Sequence, residues 1–75
     1  MFMRRTIEMR ILEYLERKGG SATDREIYEF IRKSFDVSKN QFQHILMSLE
    51  IEGFITVRPL KEDTRIVVLK QRARK

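Results

Sequence analysis

His44 and Ser48 come nearest to a catalytic arrangement in this sequence: a base and a nucleophile four residues apart, and so on one side of any helix that contains them. The resemblance stops there. The chain has a single histidine and no cysteine, so nothing in the sequence supplies a third group to orient the imidazole, a thiolate nucleophile or a His/Cys zinc set. No Gly-rich phosphate loop occurs either. A shared helix face explains the pair better than catalysis does, and no enzyme activity, cofactor or metal is expected.

The stronger chemical signal is ionic. Sixteen Lys and Arg against eleven Asp and Glu leave a formal charge of +5 and a pI near 10.0, which favours polyanionic partners, nucleic acid first and then acidic proteins and anionic membranes. The excess is unevenly spread. Residues 21–53 hold four cations (Arg25, Arg32, Lys33, Lys39) against six acids (Asp24, Glu26, Glu29, Asp36, Glu50, Glu52), a net −2. Residues 54–75 hold seven cations (Arg58, Lys61, Arg65, Lys70, Arg72, Arg74, Lys75) against Glu62 and Asp63, a net +5.

Seventy-five residues, half of the roughly 150 that serve as a prior for one domain, point to a single module and exclude a two-domain enzyme with a cleft between its halves. Hydrophobic residues make up 41% of the chain, enough for a core, and charged residues 36%, which implies a densely ionic surface. Without cysteine the domain must be stabilised by packing alone, in a reducing compartment. Heavy Glu, Lys and Arg usage with one Asn and no Cys is also the composition of thermophile proteins. The longest aliphatic run, Ile66-Val67-Val68-Leu69, is far short of the roughly 20 residues of a membrane span. Met1 to Arg10 lacks the apolar stretch of a signal peptide, so a cytoplasmic location and no membrane partner are expected.

Periodicity orders the elements. Met3, Ile7, Ile11, Tyr14 and Leu15 recur at helical spacing and predict a first helix over about 3–18, closed by Gly19-Gly20. Thr23-Asp24-Arg25-Glu26 has capping-box spacing and opens a second helix, about 24–34, with Ile27, Phe30 and Ile31 as its buried stripe. There Asp24 suits the positive helix end. Ser38-Lys39-Asn40-Gln41 repeats the box, with Val37 and Phe42 spaced as a hydrophobic staple. A third helix follows over about 39–52, with Phe42, Ile45, Leu46 and Leu49 inward and Gly53 as its stop. Two β-rich runs then flank a turn-like stretch from Pro59 to Thr64, which predicts a hairpin over about 54–70. Its Phe54, Val57, Ile66 or Val68 side is expected to pack on the helices, and residues 71–75 form a basic tail.

Three helices followed by a two-stranded ribbon resemble the winged helix-turn-helix family of DNA-binding domains over about residues 4–70. The most telling piece is Leu46-Met47-Ser48-Leu49-Glu50-Ile51-Glu52-Gly53-Phe54-Ile55, similar to that family's junction of third helix and wing. Gly20-Ser21-Ala22-Thr23 is similar to the short third strand of its sheet. The resemblance implies an α+β fold, a three-helix winged helix-turn-helix with a C-terminal β-hairpin wing, whose third helix enters the major groove and whose wing lies on the backbone.

Independently of the likeness, a 100° step per residue directs Asn40, Gln43, His44 and Met47 away from the apolar stripe of the third helix. Asn and Gln bond adenine in bidentate fashion and His donates to a purine acceptor or a phosphate, so Asn40, Gln43 and His44 are the candidates for base edges, with Met47 beside them either as a further contact or as a satellite core position. Lys39, at the helix start, suits phosphate. Phosphate neutralisation is assigned to Arg58, Lys61, Arg65, Lys70, Arg72, Arg74 and Lys75, with Arg4 and Arg5 as further contributors. Arg58 and Arg65 stand out because a ribbon fixes their direction, whereas tail charges are more simply solvated.

Double-stranded DNA is the first expected partner, for a small transcriptional regulator associated with the nucleoid. A homodimer, formed through helix 1 or Met1-Phe2-Met3, suits palindromic sites. The alternative partner is a protein, with the domain serving as subunit or adaptor of a transcription, replication or repair assembly. The acidic middle segment motivates that alternative, with Met47 and Ile51 in the patch.

Overall fold

A computed structural model describes residues 3–70. It is an α+β structure of three helices and one three-stranded antiparallel sheet, in the order α1 (Arg4–Arg17), β1 (Ser21–Thr23), α2 (Asp24–Arg32), α3 (Lys39–Ile51), β2 (Ile55–Lys61) and β3 (Thr64–Leu69). Residues 71–75, the expected basic tail, lie outside the described residues, as do Met1 and Phe2.

Both capping boxes form. Thr23 Oγ1 accepts from the Glu26 amide at 3.2 Å while Glu26 Oε1 accepts from the Thr23 amide at 3.3 Å; Ser38 and Gln41 repeat the exchange at 3.1 and 2.9 Å. Helices α1 and α3 also end alike. Past α1, Gly20 N donates to Leu15 O at 2.8 Å and Gly19 N to Glu16 O at 3.2 Å; past α3, Phe54 N donates to Leu49 O at 2.9 Å and Gly53 N to Glu50 O at 3.0 Å. Gly19 and Gly53 sit at φ +86 and +88, the left-handed conformation that this cap requires and that a side chain opposes.

The core is one cluster. Ile7, Ile11 and Leu15 of α1, Ile27 and Ile31 of α2, and Phe42, Ile45, Leu46 and Leu49 of α3 are all buried in it, as are Val37, Ala22, Ile55 and Val67. Two aromatic pairs tie the helices together: Tyr14 stacks on Phe30 at 4.6 Å, and Tyr28 lies 5.2 Å from Phe42. The Tyr28 hydroxyl donates to Val37 O at 3.1 Å, which fixes the segment between α2 and α3.

Strand β3 is central, with β1 and β2 antiparallel on either side. The segment Gly20–Thr23, expected as a strand, pairs its residues Ser21, Ala22 and Thr23 with Val68, Val67 and Ile66. The hairpin departs from expectation in two ways. Its turn is only Glu62-Asp63, since β2 runs through Pro59 to Lys61 and Thr64 already belongs to β3. Phe54 O accepts from Lys70 N at 2.9 Å, so the even-numbered backbone groups of β2 face β3 and Pro59 turns its missing N–H to the open edge. The chain absorbs the proline with one extra residue, Leu60, between the pairs Pro59–Arg65 and Lys61–Thr64.

The core-facing side of the hairpin is the second correction. Ile55 and Val67 are buried, with Val57 and Leu69 packed beside them, whereas Ile66 and Val68 stand on the opposite face with Thr56 and Arg58. Phe54 packs on the core from its position in the helix cap, before strand alternation begins.

Candidate nucleic-acid interface

Burial of Phe42, Ile45, Leu46 and Leu49 fixes the rotation of α3, and the residues opposite them face solvent. Lys39, Asn40, Gln43, His44 and Met47 are all exposed, Met47 by 56%. Asn40, His44, Met47 and Ile51 run along the helix at steps of four, three and four residues, and so form one outward strip. Lys39 and Gln43 lie on its flank. They line an open groove of about 490 Å³ whose other walls come from Asp24, Arg25, Tyr28 and Glu29 of α2, Phe42 of α3 and Asp63 of the hairpin turn. The hairpin tip therefore sits beside the starts of α2 and α3. The groove is mixed in charge, with Arg25 and Lys39 against Asp24, Glu29 and Asp63.

Asp24 holds that tip in place. Leu69 N donates to Gly20 O at 2.7 Å, and with Ala22 opposite Val67 the next partner for Arg65 N would be a carbonyl two residues further along β1. The chain has already turned into α2 there, and Asp24 Oδ1 accepts from Arg65 N at 3.2 Å instead. Asp24 is buried, at 9% exposure. In the sequence only the start of α2 accounts for Asp24, because its partner lies 41 residues away.

The hairpin does not gather its cations into one patch. Arg65, opposite Pro59, projects from the face that carries the helices, and Arg58, opposite Ile66, from the other. Lys61 is beside the turn. Lys70 is at the root, paired with Phe54 and about 20 Å from the tip at the usual rise per strand residue. The candidates Arg72, Arg74 and Lys75 lie outside the described residues.

On the other flank of α3, Arg4 Nη2 donates to Ser48 Oγ, and Arg4 Nε pairs with Glu8 at 3.3 Å. The contact brings a cation of α1 to the edge of the α3 strip. The Arg4–Glu8 spacing was readable in the sequence, but not the contact with Ser48. Among the described residues no group of three or more His, Asp or Glu is set to hold a metal ion, and no helix is long and apolar enough to cross a membrane.

No family model, no curated protein and no solved structure matches this chain. The functional reading rests on its own residues.

Proposed function

We propose that this chain is a double-stranded DNA-binding protein of the winged helix-turn-helix kind, a small transcriptional regulator and not an enzyme. In this reading α3 enters the major groove and the hairpin acts as the wing on the backbone. One observation carries it: the exposed front of α3 offers Asn40, Gln43 and His44 to base edges, with Lys39 beside them, on a helix whose opposite face is locked into the core. Arg65, on the helix side of the hairpin, and Arg4 beside Ser48 are the supporting cations. The location proposed with it is the cytoplasm, at the nucleoid.

The test is fluorescence anisotropy of a labelled 30-base-pair duplex over a range of salt. Affinity should fall steeply as salt rises, with a slope of about −0.9 per phosphate contact. Asn40→Ala or Gln43→Ala should reduce discrimination between sites by about 1–3 kcal/mol, and Arg65→Ala should weaken binding to every sequence, more than Arg58→Ala does. Unchanged binding in all four variants would refute the groove assignment.

A protein-interaction role, as subunit or adaptor of a transcription, replication or repair assembly, has one observation in its favour. Ile51 is 78% exposed between Glu50 and Glu52, where a phosphate backbone is repelled and an apolar, cationic protein surface would fit. Self-association through α1 is the homodimer proposal. Met3 and Met9, exposed by 54% and 59%, support it.

A further inference from the structure

The front of α3 also has a chemical bias. Lys39 is the sole cation of the helix and stands on its flank, in the groove with Arg25 and Asp63. Arg and Lys on guanine are the commonest specific base contact, so the outward strip lacks the group that best reads a G·C pair. The strip offers the amide of Asn40, and the flank offers that of Gln43, which at 100° per residue lies about 40° nearer the strip than Lys39 does; the paired donor and acceptor of each match the N6 and N7 edge of adenine. His44 can donate to N7, which both purines carry, and adds no preference between them.

Met47 completes the pattern. It lies four residues after Gln43 and three after His44, so its thioether adjoins both on the helix surface, and it is 56% exposed with no part in the core. An apolar group in the major groove has one matching partner, the 5-methyl group of thymine. Amide against adenine and thioether against thymine address the two members of one kind of base pair. Resting on the DNA-binding reading, we infer that α3 selects A·T pairs, with Asn40 and Gln43 on adenine edges and Met47 against the thymine methyl.

Three labelled 30-base-pair duplexes at one salt concentration test this: one rich in A·T, one rich in G·C, and the A·T duplex with uracil in place of thymine, which lacks only the methyl. The A·T duplex should bind about tenfold more tightly than the G·C duplex. Uracil should weaken binding about fourfold for each thymine methyl that Met47 covers. Met47→Ala, a change outside the core, should erase the thymine-over-uracil difference and keep the preference for A·T over G·C. Equal binding of the thymine and uracil duplexes, a preference for G·C, or a thymine effect that survives Met47→Ala would overturn the inference and leave the DNA reading standing. No binding to any of the three at low salt would remove the DNA reading itself, and the inference with it.

Discussion

The first two turns of α3 expose Lys39, Asn40, Gln43 and His44, and its end exposes Glu50, Ile51 and Glu52, with Met47 between the two groups. Beneath them the helix is uniform: Phe42 and Ile45 under the front half are buried as fully as Leu46 and Leu49 under the back half. Folding asks the same of both halves, so the difference between their outer faces is not imposed by the core. The front is cationic and polar, fit for a polyanion; the back is acidic and apolar, fit to repel one. A duplex would have to approach from the Ser38 end, where the hairpin tip and the start of α2 also lie.

The largest effect should come from the support that both halves share. Phe42→Ala removes the ring that packs on Tyr28 and fills the core under the first turn, at a cost of about 3–5 kcal/mol. That is comparable with the whole stability of a small domain, so denaturant unfolding should show the variant largely unfolded. Near-normal stability would mean that the core does not hold the front half.

Next come the two ends, taken as a pair. Gly53→Ala forces a side chain into a left-handed conformation at φ +88 and should cost about 1–2 kcal/mol. Ser38→Ala removes the cap on the Gln41 amide and should cost about 1 kcal/mol. Denaturant midpoints should show the larger drop for Gly53→Ala, while duplex affinity should fall more for Ser38→Ala, because only that change frays the turn that bears Lys39 and Asn40. Affinities that simply follow stability would erase the distinction between the halves.

The smallest effects should come from surface charge. Lys39→Gln should lower the salt slope of duplex binding by about 1, and the double variant Glu50→Gln, Glu52→Gln should leave it unchanged. Stability in both cases should stay within about 0.5 kcal/mol of the parent, by the same denaturant titration. A slope that responds to the glutamates and not to Lys39 would reverse the proposed orientation on DNA.

The helices were legible in the sequence because their signals are local. Thr23 with Glu26, Ser38 with Gln41, and the stripe Phe42, Ile45, Leu46, Leu49 each lie within a few turns. The strand Ser21–Thr23 was legible by resemblance to a known pattern and was short of local signals. What escaped depends on distant pairing. The face of Ile66-Val67-Val68-Leu69 cannot be read from a run that is apolar throughout; Ala22 and Val57, opposite Val67 on either side, decide it. Pro59 reads as a turn residue until β2 is known to be an edge strand. At the candidate site, the outward strip of α3 followed from helix geometry, whereas Asp24 on Arg65 and Arg4 on Ser48 join residues 41 and 44 positions apart.

Strand β3 is both the middle of the sheet and the last described element in chain order. During synthesis the three helices leave the ribosome before the strand whose Val67 closes the core, and β1 waits more than forty residues for its partner. Until then α1 and α2 lack the strand that both of them pack against. The nascent chain is at its most aggregation-prone just before β3 emerges, and loss of that strand would remove the centre of the sheet, not its margin.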